Sequence, residues 1–204
     1  MKISGFTNLG SLSTANPACS RMPATLSTAD LPLAELMCAR LDGEVYPLGE
    51  CWCPIDEIDS PNLRAASLAP LLPRRAIIER HSAAWVYDLC PEPAQHEFCV
   101  DLGARTHAQP SPRRHLREVV CPTDDTAELG GVRVTTPIRT AIDLARWAAP
   151  NADDHLLPLL FALLRYGGFT DTTQARARCE ARSIPHRGIA LRRLAAVETL
   201  LRSD

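Results

Sequence analysis

The chain has 204 residues, of which 46% are hydrophobic and 23% charged, and its formal net charge is −2. A chain of that size can bury a self-sufficient core without a disulfide scaffold, and the composition is not that of a polyanion-binding tail. Whole-chain charge therefore points to no class of partner.

Residues 1–28 are rich in Ser, Thr, Asn, Gly and Pro and lack the apolar core of a secretory signal, so they read as a disordered tail on a cytoplasmic protein. Nowhere does the sequence approach the roughly 18 uninterrupted apolar residues of a membrane span. In "STADLPLAELMCARLDGE", Asp30 can cap and Pro32 suits a first turn, while Leu33, Leu36, Met37 and Leu41 recur at helical spacing before Gly43. Glu44 to Leu48 and Cys51 to Pro54 then read as two strands joined by Gly49-Glu50. Strand alternation puts Cys51 and Cys53 on one face and Trp52 on the other.

A helix is expected over residues 61–71, an extended piece over 76–78, and a helix over 82–89 with Ser82 as its cap. His81 resembles a general base, but spacing assigns it neither nucleophile nor orienting acid, and it is read as structural. From residue 96, "HEFCVDL", "HLREVV" and "GVRV" alternate as strands of an antiparallel sheet, with Phe98, Val100 and Leu102 on one face. Between and around the first two, Arg105, His107, Arg113, Arg114, His115 and Arg117 form either a solvated basic loop or a phosphate contact.

"TTPIRTAIDLARWAAP" is the clearest local signal. Thr136 reads as N-cap and Pro137 as the first helical residue, with Ile138, Ala141, Ile142 and Ala145 as the buried stripe. Arg139 and Asp143, four residues apart, pair along the helix surface for about 0.2–0.5 kcal/mol and hold the helix against its neighbour. Helices are also expected over 153–166, with Pro158 near the start or at a kink, over 172–182 and over 186–202. Arg165, Arg176, Arg178, Arg182, Arg187, Arg192 and Arg193 make this region a second basic concentration, read either as outer helix faces or as nucleic-acid contacts.

The fold class is α+β. A degenerate winged-helix-like helix and hairpin spans 29–60, and a mixed domain with a small antiparallel sheet and several C-terminal helices spans 61–204. The eight cysteines include no C-x-x-C pair and are read as small buried apolar groups, so neither a metal nor a cofactor is expected.

The order of these pieces, with "RHSAAWVYDL" at 80–89 and "VTTPIRTAIDLAR" at 134–146, resembles the AbiEi-type antitoxins of type IV toxin–antitoxin (abortive infection) systems in their actinobacterial form. That resemblance implies a winged-helix module that binds operator DNA and represses its own operon, joined to an α/β domain needed for antitoxicity. It implies no enzyme, and a cognate toxin countered without a stable complex. Ser82, Trp85, Thr136, Pro137, Arg139 and Asp143 stand in its most specific segments as structural positions. Some relatives carry an appended Vsr-like endonuclease domain. Such a domain is not expected after "LRRLAAVETLLRSD", and the single lysine, Lys2, lies in the tail and not in a nuclease motif.

Charge departs from the family pattern. Residues 30–60 hold eight acids (Asp30, Glu35, Asp42, Glu44, Glu50, Asp56, Glu57, Asp59) and one base, Arg40, a net charge of −7. Because phosphate neutralisation supplies most DNA affinity, a helix and wing of that sign repel a duplex. Glu35, Arg40 and Asp42 also stand where Arg, Asn or Gln would meet base edges. The expectation is a degenerate module that packs on the larger domain or meets a protein.

The leading reading is a non-enzymatic, antitoxin-like transcriptional regulator with weakened binding to operator DNA. Its candidate nucleic-acid contacts are Arg113, Arg114, Arg176, Arg187, Arg192 and Arg193. The alternative is a protein-interaction module whose acidic face, residues 30–60, docks a basic partner and does not bind DNA.

Overall fold

The computed structural model of the protein describes residues 23–104, 109–149, 152–181 and 184–203; most of the predicted tail, Arg105, His107 and Arg182 lie outside them. Among the described residues the chain forms two sheets and seven α-helices, an α+β architecture.

Helix α1 (Leu33–Leu41) leads into a hairpin of β1 (Val45–Leu48) and β2 (Cys51–Pro54). Gly49 takes a φ of +55° in the two-residue turn, a conformation that glycine adopts without steric cost. Pro32 occupies the N-cap position of α1, and Asp30 serves a different feature: the Ser27 backbone N–H and hydroxyl both donate to its carboxylate at 2.8 Å. Leu26 exchanges backbone hydrogen bonds of 2.7 and 2.8 Å with Trp52, attaching the preceding segment to the hairpin. Cys51 and Cys53 are buried while Trp52 is half-buried, as the alternation requires. Burial pushes both thiols up to about 11, so neither is a thiolate at neutral pH. The apolar positions of α1 do not form one buried face. Leu36 packs on Leu26 and Val45, but Leu33, Met37 and Leu41 remain 54%, 38% and 83% exposed.

Helix α2 (Pro61–Ser67) starts at Ser60, whose hydroxyl accepts from the Leu63 N–H at 3.3 Å. There follow β3 (Ile77–Ile78), α3 (Arg80–Val86), β4 (His96–Asp101), β5 (Arg114–Val119), β6 (Thr126–Leu129) and β7 (Val132–Thr135). Their sheet has the order β5-β4-β3-β7-β6 and is mixed, not antiparallel throughout. Strands β4 and β5 run parallel, as do β3 and β7, because long excursions and not tight turns connect them. Strand β6 escapes sequence reading because "TAEL" is only four residues long and its alternation rests on Ala127 and Leu129 alone; it is an edge strand held to β7 across Gly130-Gly131. A Cβ on Gly130 would overlap the Asn62 carbonyl oxygen of α2, so position 130 admits no side chain. Strand β4 ends at Asp101, which leaves Leu102 in a 3-10 turn and 47% exposed, unlike the buried Phe98 and Val100.

Four helices complete the chain: α4 (Pro137–Trp147), α5 (Asp153–Tyr166), α6 (Thr173–Glu180) and α7 (Arg187–Ser203). Helix α4 packs against α3, α5, α6 and α7, which places it at the centre of the helical layer. Its expected stripe of Ile138, Ala141, Ile142 and Ala145 is buried, but so are Arg139, Thr140, Asp143 and Leu144. Thr136 occupies the N-cap position without a side-chain cap bond; its carbonyl accepts from Thr140 N–H at 2.8 Å, and its hydroxyl has no partner.

Candidate functional site

Burial of Arg139 and Asp143 converts the expected surface pair into the centre of a charged network. Asp143 accepts from Arg139 Nε at 2.8 Å and Arg146 Nη1 at 3.0 Å, and lies 3.5 Å from Arg117 Nη2. Arg117, on β5, also grips the fully buried Glu79 with Nε and Nη2 at 2.5 and 2.7 Å. Arg139 continues to Asp125 at 2.7 Å and to the Val120 carbonyl at 3.2 Å, and Asp125 accepts Arg178 Nη1 at 2.9 Å. Burial alone would lower the Arg139 pKa, but the Asp143 and Asp125 carboxylates hold it above its ordinary value. Three carboxylates thus bind four guanidiniums, tying α4 to the sheet, to the β5–β6 connection and to α6.

A cavity of about 780 Å³ opens over this network, beside the carboxyl ends of β4 and β5 and between α4 and α6. Its walls combine the four arginines with Leu102, Val120, Ile142, Trp147 and Ile184. The Arg117 and Arg146 guanidinium carbons sit 5.5 and 5.6 Å from the Trp147 ring centroid, within cation–π range.

Ser82 does not cap α3; it lies inside the helix, fully buried. Its hydroxyl is 3.2 Å from His96 Nδ1 and accepts from Glu97 N–H at 2.8 Å, while His96 Nε2 is 3.2 Å from Glu92 Oε1. The consistent assignment is a neutral imidazole that donates from Nε2 and accepts from Ser82. Burial lowers the His96 pKa against the opposing pull of Glu92, in keeping with that neutral form. Although hydroxyl, imidazole and carboxylate are in series, Ser82 and His96 are both wholly buried, so no substrate carbonyl can reach the hydroxyl. The chain fastens α3 to β4. Trp85 packs beside it, its ring centroid 5.7 Å from that of His96.

The tip of the hairpin is docked. Glu50 N–H donates to the Ser67 carbonyl at 3.1 Å, and the Glu50 carboxylate meets Arg113 at 2.7 Å. At the base of the module, Arg64 of α2 holds Asp59 with two hydrogen bonds of 2.7 and 2.8 Å and donates to the Trp85 carbonyl at 2.9 Å. The acids of this segment therefore divide: Glu50 and Asp59 are paired with Arg113 and Arg64, whereas Glu35, Asp42, Glu44 and Asp56 are exposed without an ion pair among the described residues. Ile55 and Ile58, 66% and 84% exposed, lie in the same segment as the bare α1 side chains.

The candidate nucleic-acid contacts do not form one surface. Arg176, Arg187 and Arg192 are exposed on α6 and α7. Arg113 is half-exposed but engaged with Glu50. Arg114 is half-buried and donates to the carbonyls of Leu71, at 2.9 Å, and Gln109. Arg193 does not reach the surface: it is 2% exposed and donates to Asp153 and to the carbonyls of Ala145, Ala148 and Ala149 at 2.7–3.1 Å. Its helical position reads as a charged outer face, but the ends of α4 and α5 converge on it. Among the described residues no group of three or more His, Cys, Asp or Glu could hold a metal ion.

The fold and this site define a mixed α+β domain closed by a buried ion-pair network. Residues 80–161, which supply Arg117, Asp125, Arg139, Asp143 and Arg146 to that network, match the AbiEi antitoxin C-terminal domain, a match that supports an AbiEi-type antitoxin. No curated protein matches the chain. Among solved structures it is similar to the RV2827C protein from Mycobacterium tuberculosis, with 17% identity and a TM-score of 0.37 over 79% of this chain and 78% of that one. No helix among the described residues is long and apolar enough to cross a membrane.

Proposed function

We propose that this protein is a non-enzymatic antitoxin and transcriptional regulator of a type IV toxin–antitoxin system, acting in the cytoplasm, whose winged-helix-like module has lost most of its hold on operator DNA. The observation that carries the reading is the match of the network-bearing segment, residues 80–161, to the antitoxin C-terminal domain. Two features support the weakened DNA contact. The hairpin tip that would enter a groove is fastened to Ser67 and Arg113, and α1 offers Glu35 and Asp42 beside its single base, Arg40. Phosphate contact, where it occurs, falls to Arg176, Arg187 and Arg192, with Arg113 freed from Glu50.

The test is growth rescue. Co-expression with the toxin encoded beside it restores growth, and the two proteins do not co-purify. Failure to restore growth at matched expression rejects the antitoxin reading.

A second reading has its own support in the division of the acids. The unpaired Glu35, Asp42, Glu44 and Asp56 share one module with the bare Leu33, Leu41, Ile55 and Ile58, which fits a partner with basic and apolar side chains. Under this reading, Glu35→Lys with Asp42→Lys abolishes rescue while leaving the fold intact. Unchanged rescue removes it.

A further inference from the structure

We infer that the cavity over the ion-pair network is a binding site for a small phosphorylated ligand of nucleotide size, independent of any DNA contact. Its volume of about 780 Å³ lies within the range of sites that enclose drug-sized ligands, roughly 300–1,000 Å³. The cavity also sits beside the carboxyl ends of two parallel strands, β4 and β5, where open α/β sheets characteristically receive ligands.

The chemistry of the walls identifies the ligand. Asp143 is shared by Arg139, Arg146 and Arg117, Asp125 by Arg139 and Arg178, and Glu79 holds Arg117, so four guanidiniums meet three carboxylates. Arg139 is fully engaged, but Nη1 of Arg117, Nη2 of Arg146 and Nη2 of Arg178 have no partner among the described residues. Three guanidiniums with nitrogens to spare suit a phosphate, which offers several oxygens, better than a single carboxylate.

Two further acids line the cavity, Glu118, which has an interaction of its own, and Asp124, which is exposed at the rim. Water screens a rim charge of that kind far more than the buried network beneath. The same walls leave Leu102, Val120 and Trp147 47%, 58% and 40% exposed, an apolar surface that inorganic phosphate would leave bare and a nucleoside would cover. Burial lowers the Arg146 pKa, so an added anion relieves a charge that the site holds at a cost.

The experiment is a titration of the full-length protein with nucleoside 5′-diphosphates of all four bases, followed by tryptophan fluorescence, since Trp147 lies in the wall. The parent nucleosides and inorganic phosphate are run in parallel. Saturable quenching is expected with at least one diphosphate, at least tenfold tighter than with its nucleoside or with inorganic phosphate. Arg178→Ala, at a 42% exposed side chain with one ion pair, is expected to weaken binding at least tenfold without changing the unfolding midpoint, and Arg178→Lys to recover part of it. Arg202→Ala, at a 78% exposed side chain outside the cavity, is expected to bind as the wild type does. The inference is overturned by the absence of saturable binding at millimolar diphosphate, by equal affinity for nucleoside or inorganic phosphate, or by wild-type affinity in Arg178→Ala.

Discussion

Asp143→Ala is expected to destabilise the protein by about 3–5 kcal/mol, the usual consequence of removing one partner from a buried ion pair and leaving the other charge behind. Asp143 is fully buried and is the shared acceptor of Arg139 and Arg146, with Arg117 at 3.5 Å. Its loss strands guanidiniums that cannot deprotonate and cannot reach water without opening the contacts of α4. An exposed i,i+4 pair on the same residues would contribute only about 0.2–0.5 kcal/mol, so the two descriptions differ by an order of magnitude. Urea denaturation distinguishes them: the midpoint falls sharply at an unchanged m-value if the network is buried, and barely moves if it is not. A double-mutant cycle of Arg139→Met and Asp143→Ala is expected to give a coupling energy above about 1 kcal/mol, as neighbours in one network do.

Arg193→Ala is expected to cost about 3 kcal/mol or more, again by removing a buried, fully bonded charge. The guanidinium satisfies the carbonyls of Ala145, Ala148 and Ala149 where α4 ends, and bonds Asp153 where α5 begins, from a position on α7. Helix ends leave such carbonyls without intrahelical partners, so the arginine caps α4 across three elements. Lysine cannot reproduce the fork, and Arg193→Lys recovers little of the loss. Arg176→Ala, Arg187→Ala and Arg192→Ala, at exposed positions, leave the unfolding midpoint essentially where it was. An equal loss at all four positions would mean that α7 does not pack on α4 and α5 as described.

The contrast between Arg193 and its neighbours shows where sequence reading stops. Periodicity marks α7 as amphipathic, but one arginine turns inward because two helix ends meet opposite it, a fact of tertiary packing that no local pattern encodes. Helix α4 shows the same limit. Its cap position, first proline and apolar stripe were legible in "TTPIRTAIDLAR", yet a spacing of four residues looks the same whether the pair faces water or Glu79, Arg117 and Asp125. Glu79 itself carries no sequence signal, since it is one acid between a two-residue strand and a short helix.

The hairpin was legible because Gly49 and the alternation around it are local features. The parallel pairing of β4 with β5 was not, because direction depends on how the excursion between them folds. Likewise Ser82, His96 and Glu92 meet only once α3 lies on β4, so their spacing along the chain conceals the hydrogen-bonded series. On α1, the repeat of Leu33, Leu36, Met37 and Leu41 correctly marked a helix but not its burial. Only Leu36 finds the small cluster with Leu26 and Val45.

On the proposed reading, an AbiEi-like domain carries an N-terminal module that has lost most of its hold on operator DNA. The most direct measurement of that hold is an electrophoretic mobility shift with the DNA upstream of the protein's own gene, at low and moderate salt. Weak retardation that fades as salt rises is expected, unaffected by Arg40→Ala and reduced by combined alanine substitution of Arg176, Arg187 and Arg192. Tight, sequence-specific retardation that survives moderate salt and disappears in Arg40→Ala would put α1 in the groove and contradict that reading.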